Sequence, residues 1–565
     1  MDHTTSNHVN IFSNNTRDDF SIFASSEEIL VFKNAIPIIG IKRSSRERFI
    51  PKAPLINSDH SIISIPAIFG VVESEHQEYL VLITEIENPF ELFGKQIFAV
   101  KSIKLLKVCL KSSSKGSGVR SRLREFLSTG FYFSYSDSLL FRVGMEPENK
   151  LLSPFCWNSH AIRKLLGEYC ENSDFIPGFM QGFLGCSMIS QNQKLFLISR
   201  RSYLRSGPRF KHRGADAFGS VANFVETEAI LELENTIESF VQVRGSLPFF
   251  WKQEAVNSEP QLGPFGRADL QAITKHLEVL NSIYSYEKVI IANLLSLKNT
   301  EAILTNRLKD ILRKLHMQIE HYELDINFLL KSKPETVEND VKVIADSMKL
   351  DLTLVTKVSD KFLIDKKQKT LVRSNCLDCV DRTNLFQMLL FENVFSTRHA
   401  NLVNKDKASW RKLWTQQANR LSELYTGANS TLNPHSLHSS GLFYGIESGF
   451  RSLSRYISKN FDDDLKFEAG KLAISESCFS ARPSFLVKKP FFPMKLLFAF
   501  FRTNLFEAEQ SDKFISELKE KIVNCEKFAF LTFTNEKSNK FDTDSLIQSL
   551  IKGSTIQIKR ICLLR

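Results

Sequence analysis

No stretch of this 565-residue chain holds the roughly 18 uninterrupted apolar residues that a membrane-spanning helix requires. The nearest approach, Pro490 to Phe501, is interrupted by Pro493 and Lys495. It reads either as a buried core segment or as an interfacial anchor flanked by Lys488, Lys489, Lys495 and Arg502. The first twenty residues are polar, have no apolar signal-peptide core and read as a disordered tail. Cysteine is present in an odd number, nine, without framework spacing, which argues against a disulfide scaffold and for a reducing compartment. No second Cys-x2-Cys accompanies Cys376 and Cys379, so a four-ligand zinc site lacks half its donors. Internal repeats and coiled-coil heptads are also missing. These absences point to a soluble or peripheral protein on the cytosolic side.

What is present is an ordinary globular balance, 43% hydrophobic and 24% charged, in a chain long enough for about two to four domains. The net charge of +11 favours anionic partners: nucleic acid, a phospholipid surface or phosphorylated substrates. Charge alone does not choose among them.

From Ser21 to Met188, short apolar runs predict strands at Ile62 to Val72, Tyr79 to Ile83, Gln96 to Ile103 and Ser138 to Val143. A Ser/Lys/Gly loop covers Lys111 to Gly118, and a helix is expected from Arg163 to Tyr169. No catalytic constellation stands out here. The next part opens on Leu195 to Ser199, a buried-strand pattern, followed by a basic segment with Arg200, Arg201, Arg205, Arg209, Lys211, His212 and Arg213. That segment reads as a solvated loop, a nucleic-acid patch or an anionic-substrate groove. It leads into strand-like Val221 to Glu228 and then Ser239 to Arg244, which fits a preformed groove better than a flexible tail. A long helix is expected from Tyr286 to Leu315, then Ile326 to Leu330, a charged loop at Lys331 to Asn339, and a short helix over Val341 to Met348. Further helices are expected at Ala408 to Tyr425, Phe450 to Ile457 and Ser511 to Cys525. A His/Ser-rich loop is expected at Pro434 to Gly441 and a strand at Phe528 to Phe533.

The densest chemistry lies in Leu371-Val-Arg-Ser-Asn-Cys-Leu-Asp-Cys-Val-Asp-Arg-Thr-Asn384. An apolar approach from Thr370 to Val372 predicts a strand, and Leu385, Phe386, Leu389, Leu390 and Val394 predict a helix after the turn. A strand, a tight loop and a helix N-terminus gather backbone N–H groups around an anion. Cys376 opens the loop and Arg382 closes it, with five residues between and Thr383 next. A thiolate there faces a phosphorus atom, while a guanidinium holds two phosphoryl oxygens. A thioredoxin-like redox pair and plain buried cysteines are the competing readings of Cys376 and Cys379.

These residues carry a resemblance to the Sac-type phosphoinositide phosphatases over roughly 60 to 490. The Cys-x5-Arg-Thr loop with flanking Asn375 and Asn384 is one block. Leu197-Ile-Ser-Arg-Arg-Ser202 through Arg213-Gly-Ala-Asp216 to Asn223-Phe-Val-Glu-Thr-Glu228 is a second, and Ser239 to Ser246 a third. Trp157-Asn158 with Gln181-Gly-Phe183 is the fourth. The resemblance implies an α/β (α+β) fold with an N-terminal Sac subdomain, 21–188, packed on a catalytic domain, 189–489, and an extension at 490–565. It implies removal of a monoester phosphate from phosphatidylinositol phosphates, most often phosphatidylinositol 4-phosphate, without a metal or other cofactor. Some members are anchored at the endoplasmic reticulum or Golgi, which makes the cytosolic face of those membranes the expected location. Two stretches depart from the family pattern. Trp414-Thr-Gln-Gln-Ala-Asn419 lacks the acids of a Trp-Ala-Asp-Asn-Gly-Asp-like piece, and Thr426-Gly-Ala-Asn-Ser430 lacks a lysine.

In this reading Cys376 is the nucleophile, its thiolate favoured by Arg382 and the helix N-terminus. Leu377, Cys379 and Val380 form the rest of the phosphate-binding loop. Asp378 or Asp381 protonates the leaving oxygen, Asp378 being preferred, while Asp381 also reads as a carboxylate accepting loop N–H groups. Thr383 donates to Cys376. Arg200, Arg201, Arg209, Lys211 and Arg213 are substrate-binding candidates that draw the chain to anionic lipid. Asp216, Asn223, Glu226, Glu228, Asn375 and Asn384 support them. The partners expected are the lipid substrate and an anionic membrane surface, not nucleic acid. A catalytically weak lipid-binding scaffold and a protein tyrosine phosphatase are the alternatives.

Overall fold

The computed structural model describes residues 20–430, apart from 35, 52–60, 75–76, 110–116, 146–148, 191–192, 255–257, 264–265, 316–318, 359–360 and 406. It also describes 463–474, 499–500 and 531–532. The chain forms two compact units, Met1–Glu476 and Ser477–Arg565.

The first unit begins with a five-stranded antiparallel sheet of β1 (Phe20–Ala24), β2 (Glu28–Lys33), β3 (Ile36–Lys42), β4 (Arg48–Phe49) and β5 (Ser61–Ile65). The run expected as one strand from Ile62 to Val72 is two. β5 pairs with β1, whereas β6 (Ala67–Ser74) pairs with β7 (Gln77–Leu92) in a different sheet. Pro66 stands between them without a donor for either ladder.

A 13-stranded sheet then carries most of the unit. Its antiparallel side adds β8 (Lys95–Lys107), β9 (Phe131–Phe133), β10 (Phe179–Ser190), β11 (Gln193–Arg201), β12 (Val225–Glu232) and β13 (Thr236–Arg244). A small hairpin, β14 (Trp251–Lys252) with β15 (Gln261–Leu262), lies apart from it. The other side is parallel, with β16 (Lys288–Asn293), β17 (Glu320–Glu323) and β20 (Thr370–Asn375) in the order β17-β16-β20-β13. β18 (Thr353–Val358) and β19 (Lys361–Lys366) form a hairpin on the first half of β13. The expected boundary at 188 falls near the end of β10, whose partner β11 continues the same sheet.

Helices cover both faces of the parallel part, as buried parallel strands require. On one face α3 (Arg267–Tyr284) and α4 (Ala302–Lys314) pack Ile273, Leu277, Leu308 and Ile311 with Ile291 and Leu371. On the other, α6 (Val337–Met348), α7 (Asp381–Lys405) and α8 (Lys407–Thr426) pack Met348, Phe386, Leu390 and Trp414 with Ile290 and Val372. Ile290 and Ile291, and Leu371 and Val372, face opposite ways because strand side chains alternate. Each fully buried aliphatic or aromatic side chain contributes about 1.5–3 kcal/mol, and both layers are built from them. The remaining helices are α1 (Ser117–Leu127), α2 (Ser159–Leu166), α5 (Ile326–Ser332) and α9 (Asp463–Ile474).

Three expectations change. Tyr286 to Leu315 is not one helix, since its first third is β16 and only the last part is α4. Ser138 to Val143 is a 3-10 turn at Ser138–Leu140, not a strand. Its carbonyls at Leu139 and Phe141 accept from the Arg200 guanidinium, at 2.8 and 2.9 Å, instead of from a neighbouring strand. The charged loop from Lys331 to Asn339 is mostly helical turns, with α6 beginning at Val337. The elements expected at Pro434 to Gly441, Phe450 to Ile457 and Ser511 to Cys525 lie outside the described residues. So does most of Pro490 to Phe501, of which Ala499–Phe500 pairs with Leu531–Thr532 in the second unit. Among the described residues no helix is long and apolar enough to cross a membrane.

Candidate active site

The parallel strands end together. Asn293 of β16 is in register with Asn375 of β20, and Arg244 of β13 with Ser374. In open α/β sheets the carboxyl ends of parallel strands form the crevice where ligands sit. The chain leaves β20 at Cys376, turns through Val380 and enters α7 at Asp381. The turn needs Cys379 in the left-handed region, φ 53°. Its sulfur compensates by bridging the Cys376 backbone, 3.3 Å from the N–H that donates to it and 3.2 Å from the carbonyl it donates to. The N–H groups of Leu377, Cys379 and Val380 donate to no acceptor among the described residues. A turn with unbonded donors at a helix start is a ready anion site.

Cys376 is buried, and burial pushes its thiol up to about 12. Arg382 pulls the other way, while Cys379, Glu301 and Asp378 add to the rise. Desolvation thus opposes the thiolate that Arg382 favours. Arg382 is itself clamped. Its Nη1 and Nη2 donate to the two carboxylate oxygens of Glu301 at 2.7 and 2.8 Å, and Nη1 also donates to the Leu294 carbonyl at 3.2 Å. The Glu301 carboxylate thus occupies the end of the guanidinium fork. The hydrogen bonds of Arg382 to described residues all leave from Nη1 and Nη2, so its side edge, Nε–H with the second Nη2 hydrogen, has the geometry for two phosphoryl oxygens.

On the other side of the loop Asp378 meets two guanidinium groups, Arg213 at 2.7 Å and Arg209 at 3.4 Å. Asn223 donates to the Asp378 carbonyl at 3.0 Å, and Arg213 to the Leu377 carbonyl at 2.7 Å. Asp381 accepts from the Ser430 hydroxyl at 2.5 Å. Beneath the loop, Asn375 donates to Asn293 at 2.6 Å and accepts from Arg373 at 2.9 Å. Asn384 donates to the Trp414 carbonyl at 2.9 Å and accepts from Arg244 at 3.2 Å. Burial lowers Arg244 to about 9 and Arg373 to about 10. Thr383 Oγ1 is buried without a hydrogen-bond partner among the described residues, so the expected bond to Cys376 is not made.

A family comparison supplies the decisive observation. The SacI homology domain matches residues 66–331, a stretch that includes the Arg200 and Arg213 blocks and stops before Cys376. Synaptojanin-1 of Homo sapiens is 29% identical over 425 residues, covering 69% of this chain and 25% of that protein. The phosphatidylinositol-3-phosphatase SAC1-B of Danio rerio is 26% identical over 492 residues, covering 78% of this chain and 82% of that protein. The phosphoinositide phosphatase SAC7 of Arabidopsis thaliana is 27% identical over 469 residues, covering 75% and 76%. The chain carries a SacI homology domain over residues 66–331. It spans about a quarter of the length of synaptojanin-1.

Within this SacI homology chain the basic segment is not a surface patch. Arg200, Arg201, Arg209 and Arg213 are all buried, and Lys211 alone of the five is exposed. A planar guanidinium can satisfy buried carbonyls and carboxylates in several directions at once, which an ammonium does less well. Arg200 pairs with Glu226 and Glu228, each at 2.7 Å, and fixes the Ser138–Leu140 turn, so these three residues hold the sheet together. Arg201 donates to Gln181 at 2.6 Å and lies over the Trp157 ring. Asp216 accepts from the N–H groups of Phe218 and Ser220, 2.9 and 3.0 Å away, and shapes its own turn. Only Arg209, Arg213 and Asn223 of this block reach the Cys376 loop.

Of the two stretches expected to depart from the family pattern, the second reaches that loop through Ser430. Gln417 donates to Ser199 at 2.6 Å, Asn419 accepts from the Ser430 N–H at 3.1 Å, and Ser430 holds Asp381. Sequence reasoning missed Glu301, which is 81 residues from Arg382 in a run without any motif. It also missed Asn293, whose only signal is its place at a strand end, and gave no role to Arg244 and Arg373 although both lie in stretches it singled out.

Proposed function

We propose that this chain is a phosphoinositide phosphatase, removing a monoester phosphate from the inositol ring through a phosphocysteine intermediate. The observation that carries the reading is the cup of unbonded loop N–H groups at Cys376, with the side edge of Arg382 clear of its bonds to Glu301. The phosphatases named among its relatives support the same chemistry.

One proton serves Cys376 and Asp378 together. Transfer of the thiol proton to Asp378 gives a thiolate and a carboxylic acid. The sulfur then bonds to phosphorus as the bond from phosphorus to the ring oxygen breaks, and Asp378 returns the proton to that oxygen. Loop amides and Arg382 stabilise the equatorial oxygens as charge develops on them. Water next attacks the phosphocysteine, gives its proton to Asp378 and releases inorganic phosphate and the thiolate. Asp381, already engaged by Ser430, shapes the loop. Phosphatidylinositol 4-phosphate is the leading substrate, and the cytosolic face of the endoplasmic reticulum or Golgi the leading location.

A second reading, a lipid-binding scaffold with weak turnover, draws on the burial of Cys376, which pushes its thiol up to about 12 and so opposes the reactive thiolate. Phosphate release from phosphatidylinositol 3-, 4- and 5-phosphates, bisphosphates and a phosphotyrosine peptide separates the two. The expected result is release from a monophosphorylated lipid that is lost in Cys376→Ser. Lipid binding without release selects the scaffold, and peptide turnover alone selects a tyrosine phosphatase.

A further inference from the structure

We propose that Arg209 and Arg213 form a second anion subsite beside the Cys376 loop, closed by Asp378, which takes a second phosphate group of the same substrate and thereby releases the Asp378 carboxyl. The proposal rests on the reading of the loop as a phosphate site.

Two fixed cations share Asp378 as their carboxylate partner among the described residues. The terminal nitrogens of Arg213 also donate to neutral acceptors, the Leu377 carbonyl at 2.7 Å, Gln253 at 2.9 Å and the Tyr425 hydroxyl at 3.4 Å, while its buried Nε–H has no hydrogen-bond partner among the described residues. Arg209 makes its contact with Asp378 at a long 3.4 Å, and its buried Nε–H has no hydrogen-bond partner among the described residues. Burying a cation with an unbonded donor is costly unless an anion arrives to take it. Both groups are held in place before any such arrival. Arg209 lies 4.6 Å from the centroid of Phe210, and Arg213 lies 5.6 Å from Phe210 and 5.3 Å from Trp251. The contrast with Arg382 is informative, because there one guanidinium has one carboxylate bidentately. Beside Asp378 two guanidinium groups share one carboxylate among the described residues, so a phosphate brings further negative charge to them.

Asp378 is the natural gate. It lies on the loop itself, and a phosphate that takes Arg209 and Arg213 breaks the two ion pairs of the carboxylate with these arginines and leaves it facing an anion. A carboxylate in that setting binds a proton more readily. Occupation of the subsite thus prepares Asp378 to take the proton from Cys376. The second phosphate has two chemical sources in one substrate class: a neighbouring ring monoester, or the diester that joins the ring to glycerol.

The test uses the full chain carrying Cys376→Ser, with binding read by calorimetry. The probes are inositol 4-phosphate, inositol 4,5-bisphosphate and glycerophosphoinositol 4-phosphate. One of the two-phosphate probes is expected to bind about tenfold more tightly than inositol 4-phosphate, the size of a charged hydrogen-bond contact. Preference for the bisphosphate assigns the subsite to a ring phosphate, and preference for the glycerol compound assigns it to the diester. Adding Arg209→Gln is expected to abolish that preference, and adding Asp378→Asn to tighten both two-phosphate probes several-fold. Tightening is a gain that misfolding does not mimic. Equal binding of all three probes, or no gain in Asp378→Asn, overturns the subsite. Turnover by the wild-type chain is read separately. Preference without turnover sinks the phosphatase reading alone, and turnover without preference sinks the subsite alone.

Discussion

Glu301 holds both terminal nitrogens of Arg382, at 2.7 and 2.8 Å, from the first turn before α4. A residue 81 positions away thereby decides which edge of the guanidinium faces the loop. The clamp has a cost at the nucleophile, since the Glu301 charge adds to the rise of the Cys376 thiol.

Glu301→Gln is expected to act in two opposite directions. Removing the negative charge lowers the thiol, so alkylation of Cys376 by iodoacetamide at pH 8 speeds up several-fold. Loosening the fork misplaces it for phosphoryl transfer, so phosphate release falls by about tenfold to a hundredfold. Alkylation at an unchanged or lower rate would count against the electrostatic role given to Glu301.

Cys376 makes a signature in alkaline stability. The thiol ordinarily loses its proton near 9.0, and burial delays that to about 12 in the folded chain. Between those values the unfolded chain has released a proton that the folded chain retains, so stability falls as pH rises, by about 1.4 kcal/mol per pH unit. Below pH 9 the group adds no slope. The stability of wild type relative to Cys376→Ser, from urea denaturation, is expected to fall across that window. A constant difference would show that the sulfur is not held as a buried thiol.

Arg200→Met is expected to destabilise the fold by about 3–5 kcal/mol, because Glu226 and Glu228 stay buried without their cation. Replacing all three by apolar residues is expected to cost less than the single change. Chemical denaturation measures both. A single-variant loss under 1 kcal/mol would mean that the two carboxylates find other partners.

Gly214 lies at φ 60°, and a Cβ there would collide with the Phe249 carbonyl. Gly214→Ala is expected to cost about 1–3 kcal/mol. It is also expected to weaken phosphoinositide binding to the Cys376→Ser chain, since Gly214 follows Arg213 directly. Binding unchanged alongside a lowered melting temperature would separate Arg213 placement from this turn.

The parts that were legible in the sequence are those where one local pattern decides the outcome. β11, β13, β20 and the start of α7 follow from apolar runs that end in polar turns. Tyr286 to Leu315 misled because Val289 and Ile290, with Leu294 and Leu297, also fit a helical spacing. Val289 and Ile290 belong to β16 because β20 and β17 pair with that strand from either side and the helices bury both faces. Charge was misleading in the same way. Arginines that look solvent-facing in a row of seven basic residues turned inward, because carbonyls and carboxylates distant in sequence were there to receive them.

The sequence by itself determined the strand, turn and helix around Cys376, since five intervening residues and a left-handed Cys379 are local matters. Only the tertiary structure decided what surrounds that turn. Glu301 on Arg382, Arg209 and Arg213 on Asp378, and Ser430 on Asp381 are partners brought from 49 to 169 positions away. Hydrogen bonds and ion pairs act through space, so no spacing in the chain records which distant side chain will satisfy a buried charge.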